Sequence, residues 1–261
     1  MAGTVVGAAK GRVGFEHLPP TSGENSMKDA IYHAAHTRGA ADHGWLKARH
    51  SFSFASYYNP ERMNFGALRV LNDDAVAPAR GFGKHPHDNM EIVTIPLYGD
   101  LEHNDSTGMR DVIRHGDVQI MSAGSGIYHS EMNPNPDKEV RLLQIWVMPD
   151  KRDIPPRYDR KTFAPEGRKD KFQTVVSPND PEALWINQNA YFSLADLTRP
   201  VNYPLFDPQN GVYLFVIEGE VEIEGRKIGR RDALGLWNRK SVSIAPATPA
   251  QIVAIEVPMT I

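Results

Sequence analysis

From position 64 onward the chain alternates short apolar runs with turn residues. Runs at 65–71, 90–97, 110–114, 118–121 and 140–148 are each bounded by Gly, Asn, Asp or Pro. Runs of this length, rich in Val, Ile, Leu and Phe, predict β-strands, and their even spacing predicts a sandwich or barrel. In Arg141-Leu-Leu-Gln-Ile-Trp-Val-Met148 the apolar positions alternate only partly, as expected of a strand covered on both faces. A proline- and charge-rich stretch at 151–167 interrupts the pattern and reads as a linker, because Pro155-Pro156 cannot continue a central strand. Beyond it the β-rich runs return at 172–176, 191–194, 212–218, 221–224, Ala233–Trp237, 242–245 and 251–257. The run 212–225 repeats the hydrophobic run, glycine turn and following strand of 90–103, which suggests a domain-scale internal repeat.

The expected organisation is therefore all-β: a domain at 27–150, a linker at 151–167 and a second domain at 168–261. Residues 1–26 are Gly-, Pro- and Ser-rich and read as a flexible extension, with Met27 as an alternative start. The aromatic residues Trp45, Phe52, Phe54, Tyr57 and Tyr58 read as core or domain-interface packing.

Composition narrows the function classes. With 261 residues the chain is long enough for two domains that each bury a core. A net charge of −3 gives no electrostatic reason to expect nucleic acid as a direct ligand. There is no cysteine, which excludes disulfides, Cys-ligated zinc and a thiol nucleophile. No apolar run approaches the roughly 18–20 residues of a membrane helix. The opening residues lack the basic leader and apolar core of a signal peptide, so a cytoplasmic protein is expected.

Candidate chemistry lies between Gly81 and Glu131. In a strand, side chains at i and i+2 leave on one face, so His85 and His87 project together, as do His129 and Glu131. Two such pairs facing each other offer three imidazoles and a carboxylate to a divalent ion such as Fe(II), Mn, Co, Ni, Cu or Zn, with positions left for water or substrate. Glu91 lies six residues past His85, on the same face if the strand is regular, and spacing alone leaves open whether it binds or stands nearby. His103 and His115 have turn-like neighbours and read as solvated. His33, His36, His43 and His50 lack strand-paired spacing and read as surface or satisfied core residues. Met121 and Met132 flank the second cluster, either lining the cavity or filling core gaps. All ten histidines fall at or before position 129, so the second half cannot copy the site.

These residues also carry a resemblance. Gly81-Phe-Gly-Lys-His85-Pro-His87-Asp-Asn-Met-Glu91, followed by Gly99, resembles the first cupin motif. The run from Gly116 to Glu131 resembles the second, with Ser122-Ala-Gly124 for the usual Pro-x-Gly and a longer gap to the histidine. Those departures and the added Glu131 are similar to the pirin family of bicupins. The resemblance implies two cupin (jelly-roll) barrels, the first metal-bearing and the second metal-free. It implies one divalent metal, Fe(II) favoured, on His85, His87, His129 and Glu131, with Glu91 beside it. It further implies quercetin 2,3-dioxygenase activity on a flavonol with O2, Glu131 or Glu91 taking the hydroxyl proton. The alternative is a non-enzymatic iron-binding redox sensor or transcriptional cofactor that acts through a protein partner.

Overall fold

A computed structural model describes residues 27–260; the expected extension at 1–26 lies outside the described residues. The architecture is all-β. Each half of the chain forms a jelly roll from one seven-stranded and one four-stranded sheet. In the first half the large sheet runs, by spatial order, Arg157–Thr162, Asp117–Ser122, Glu91–Tyr98, Val140–Val147, Leu68–Val76, Leu46–His50 and Gly39–Asp42. Its small sheet runs Gly81–His87, Ile127–Met132, Asp100–Asp105 and Arg110–Arg114.

The second half repeats this layout. Its large sheet runs Ala30–His33, Ala233–Trp237, Asn210–Glu218, Ala250–Pro258, Tyr191–Leu197, Gln173–Ser177 and Leu184–Trp185. The internal likeness of 212–225 to 90–103 is thus one of position as well as pattern. Asn210–Glu218 and Glu91–Tyr98 are the third strands of their sheets, and each turns at a left-handed glycine, Gly219 or Gly99.

Two elements cross the boundaries expected from the sequence. The stretch 151–167 carries the strand Arg157–Thr162, which pairs antiparallel with Asp117–Ser122 and so forms the edge of the first barrel. Pro155 and Pro156 stop just short of it, where no ladder hydrogen bond is needed. Ala30–His33, placed by sequence in the first domain, pairs with Ala233–Trp237 in the second sheet. Each barrel therefore takes its edge strand from chain that flanks the other, a pairing that local hydrophobic pattern cannot encode.

The large sheets are apolar on both faces because they do two jobs. Their outer faces meet in one core that joins the domains: Leu68, Leu71, Val93, Ile95, Leu143 and Ile145 from the first half, Phe192, Tyr213, Phe215, Val253 and Ile255 from the second. Burying each such side chain stabilises by about 1.5–3 kcal/mol relative to exposure. Phe52 and Phe65 belong to this seam, whereas Tyr58 is exposed, so the aromatic run is only partly core.

The inner faces differ. The second barrel is filled by Leu197, Tyr203, Val212, Leu214, Val216, Val221, Ile223, Val242 and Ile244. The first has apolar layers at two levels, one around Leu101, Ile113, Val140 and Leu142, the other around Ile92, Met121, Ala123 and Ile127. Its remaining inward positions include the buried polar residues Asn72, Asp74, Thr94, His103, Asp105, Gln119, His129 and Glu131. No helix among the described residues is long and apolar enough to cross a membrane.

Candidate metal centre

The strand Ile127–Met132 alternates buried and more exposed positions, sending Ile127, His129 and Glu131 inward. Gly81–His87 pairs with it so that His129 faces His85 and Ile127 faces His87. The register then shifts by one residue, a bulge that leaves an extra residue in the Gly81–His87 strand. As a result Phe82, of opposite parity to His85, joins the interior beside Trp45, with ring centroids 5.4 Å apart. The motif's first glycine has its reason here: a Cβ on Gly81 would collide with the Glu131 carbonyl oxygen and the Met132 backbone. Met132 itself is outward and exposed, whereas Met121 is buried in the apolar layer with Ile92.

Three imidazoles converge. Ligand nitrogens of His85, His87 and His129 lie within 4.8 Å of one another. Their ring centroids are 4.4 Å apart for His85 and His129, 4.8 Å for His87 and His129, and 4.9 Å for His85 and His87. The bulge holds one of them directly, since the His85 Nδ1 lies 2.7 Å from the Gly83 carbonyl. That bond puts the proton on Nδ1 and leaves Nε2 free. A second group overlaps the first, formed by His103, His129 and Glu131, again within 4.8 Å. The buried Nε2 of His129 has no hydrogen-bond partner among the described residues. A buried nitrogen that presents a lone pair among converging imidazoles is a metal-donor arrangement, so these residues fit a divalent cation.

Glu131 is anchored by the opposite wall. Its Oε2 accepts a 2.8 Å bond from Gln144, and Oε1 lies 3.5 Å from the Gln119 amide nitrogen. Thr94 ties both amides together, donating to Gln144 at 2.8 Å and accepting from Gln119 at 3.3 Å. Burial pushes the Glu131 carboxyl up to about 7, against the pull of those two amides. The same desolvation, with neighbouring imidazoles, drives His87 down to about 4 and His129 to about 2. Neutral imidazoles are the ligating form.

Glu91 is not in this group. The chain turns at Asn89, in the left-handed region at φ 46°, and a new strand starts at Glu91, so parity is not carried over from His85. On that strand Ile92 lies in an apolar layer of the first barrel, whereas Val93 and Ile95 lie in the core shared with the second domain, and Glu91 has their parity. Its Oε2 accepts from Ser122 Oγ at 2.7 Å and from the Asn187 amide of the second domain at 3.2 Å. The expected catalytic or ligand-side role for Glu91 is therefore corrected to an anchor at the domain seam.

His103 is the converse correction. Expected to be solvated, it is fully buried, faces Glu131 across the strand pair and bonds Asp105 at 2.8 Å. His103-x-Asp105 has the same i, i+2 spacing as His129-x-Glu131; its polar neighbours made it look like a turn. Also unforeseen were Gln119, Gln144 and Trp146, whose indole stands edge-on to His87 at 4.9 Å. His115 is exposed, as expected. His33 and His50 are buried and bonded to Tyr213 and Asn72, each at 2.8 Å.

In the second barrel Val201–Pro204 and Ser241–Pro246 occupy the positions of Gly81–His87 and Ile127–Met132, and there Tyr203, Val242 and Ile244 fill the interior.

Sequence comparison agrees with this architecture. Residues 32–147 match the Pirin family, and 174–257 match the quercetinase C-terminal cupin domain. A quercetin 2,3-dioxygenase of Escherichia coli K12 is 40% identical over 227 residues, covering 86% of this chain and 96% of that protein. A pirin-like protein of Caulobacter vibrioides is 42% identical over 222 residues, covering 84% and 95%. The crystal structure of YhhW, a bacterial pirin from E. coli, solved in complex with nickel(II), superposes with a TM-score of 0.83 at 38% identity, over 88% of this chain and 99% of that one. With two jelly rolls, a histidine cluster in the first, and relatives of this identity over nearly their full lengths, the chain belongs to the pirin family of two-domain cupins.

Proposed function

We propose that the protein is a metal-dependent dioxygenase of the pirin type that cleaves flavonols such as quercetin with O2. The observation that carries this reading is the convergence of His85, His87 and His129 beside Glu131, with a buried, unpartnered His129 Nε2. Relatives named as quercetin 2,3-dioxygenases support the substrate class. The residues that would hold the ion are His85, His87, His129 and Glu131. Their mixed imidazole and carboxylate chemistry accepts Fe(II), which the reading favours, as well as Ni, Co, Mn, Cu and Zn. When bound, such an ion would supply Lewis-acid activation of a substrate hydroxyl, and a redox-active one such as Fe(II) would add redox capacity.

The protein's own groups do the rest. Glu131, held in place by Gln144 and Gln119, is the carboxylate positioned to accept the hydroxyl proton. Trp146 stands edge-on to His87 and to Phe54, at 4.9 and 5.3 Å, and forms an aromatic wall suited to a planar ring system. The apolar layer of Ile92, Met121 and Ile127 keeps that end of the barrel dry.

A second reading, the iron-binding sensor with a protein partner, draws on one observation. A cleft lined by Arg38, Lys47, Arg49, Arg141, Arg230 and Arg231 presents exposed Lys47 and Arg49 beside arginines paired with Asp73, Glu139 and Glu218, a local gathering of cations on a chain of net negative charge. Flavonol absorbance, followed under air and under nitrogen after loading each metal in turn, separates the two. Oxygen-dependent loss with at least one metal supports the dioxygenase; binding without turnover for every metal supports the sensor.

A further inference from the structure

His103 and Asp105 form a buried chain behind His129 that the proposed reaction does not use. Asp105 sits where the strand ends in a tight turn. Its Oδ1 accepts from the Thr107 amide at 2.8 Å and the Thr107 hydroxyl at 2.6 Å, and its Oδ2 faces His103 Nε2 at 2.8 Å. With Oδ1 taking two donors from Thr107, the carboxylate turns Oδ2 to His103 as an acceptor. An ionised carboxylate can only accept, so the proton of the neutral His103 ring sits on Nε2. Its Nδ1 then presents a lone pair, and what it faces is His129 Nδ1, 3.5 Å away, at the outer limit of a hydrogen bond. The ring cannot swing aside, because Tyr158 stacks on it at 4.5 Å and 26°. Tyr158 is fixed in turn by its hydroxyl on Asp111, at 3.2 Å.

We propose that His103, held by Asp105, is a positioning residue that fixes the proton of His129 on Nδ1 and so presents its Nε2 to the metal. This inference rests on the metal centre proposed above. Each link agrees on one arrangement: Asp105 accepts, His103 donates from Nε2 and accepts at Nδ1, and His129 donates from Nδ1. The nitrogen this leaves over is His129 Nε2, the buried atom with no partner among the described residues. Free neutral histidine prefers its proton on Nε2, the tautomer that cannot bind through that atom. Without His103, part of the binding free energy would go into reversing that preference.

The test reads tautomers and metal affinity together. In metal-free protein labelled with 15N histidine, long-range NMR correlations should show His129 protonated on Nδ1 and His103 on Nε2; a His129 proton on Nε2 overturns the inference. His103→Asn puts a carbonyl acceptor near the position of Nδ1, whereas His103→Phe keeps the ring against Tyr158 and offers no acceptor. Nickel(II) affinity, measured against a chromogenic chelator, should fall about 10–100-fold in His103→Phe and stay within a few-fold in His103→Asn. Equal affinity of His103→Phe and the unaltered protein overturns the inference. So does loss of one nitrogen from the Cu(II) EPR pattern of His103→Asn, which would make His103 a ligand. If the unaltered protein binds no nickel, the metal centre falls, and the tautomer of His129 decides this inference alone.

Discussion

Asp74 offers a quantitative test of the polar interior. It lies on the inner face of Leu68–Val76, is only 5% exposed, and its Oδ1 has no hydrogen-bond partner among the described residues. Burial raises its pKa from 3.8 to about 8, with Asp73 and Glu131 adding like-charge repulsion. In the unfolded chain the group titrates near its ordinary value. Between pH ~4 and ~8 the folded protein therefore binds one more proton at this site than the unfolded chain does, and stability rises as pH falls. This stabilisation is complete below the unfolded pKa and is lost as pH rises through the folded one. The slope is about 1.4 kcal/mol per pH unit, so about 3 kcal/mol should be lost between pH 5.5 and 8. Asp74→Asn removes the titration and nearly preserves shape. Urea unfolding of both metal-free proteins, followed by tryptophan fluorescence from pH 5.5 to 9, should show a variant-minus-parent gap that widens with pH and levels off above about 8. Subtraction cancels the groups that titrate in both. A divalent ion near Glu131 offsets the negative charge and should shrink the gap. A gap that does not change with pH would refute the reasoning, since Asp74 would then be ionised and solvated in the folded protein.

Three further outcomes follow from the geometry. Glu131→Gln and His87→Ala should each weaken nickel(II) binding by more than about tenfold, read by chelator competition, with little change in the far-UV circular dichroism of the metal-free protein. Glu91→Ala should leave metal stoichiometry unchanged and cost about 1–3 kcal/mol in urea unfolding, because Ser122 Oγ and the Asn187 amide lose their buried acceptor; loss of metal would return Glu91 to the centre. Phe215→Ala opens a cavity in the core between the domains and should cost about 3–5 kcal/mol, again by denaturant unfolding.

The strands were legible in the sequence because burial on a pleated sheet writes itself locally, as apolar runs ended by turn residues. The pairing of His85 with His87 and of His129 with Glu131 was legible for the same reason: parity holds within a strand. It fails across a turn, and Glu91 shows this, since a new strand beginning after Asn89 turned it toward the seam with the second domain. His103 failed in the opposite direction. Its polar neighbours suggest solvent, yet the strand pair buries it opposite Glu131, and that burial is made tolerable by Asp105, two residues on along the same strand, and by Tyr158, brought from the strand Arg157–Thr162. The edge strands Ala30–His33 and Arg157–Thr162 belong to barrels built mainly from other stretches of the chain, a choice set by which sheet edge lies open when the domains meet. Local pattern thus decided which residues form strands and which side chains share a face within each one. Tertiary packing decided which faces meet, because the cost of an unpaired strand edge or a buried charge is fixed only by the groups that close over it.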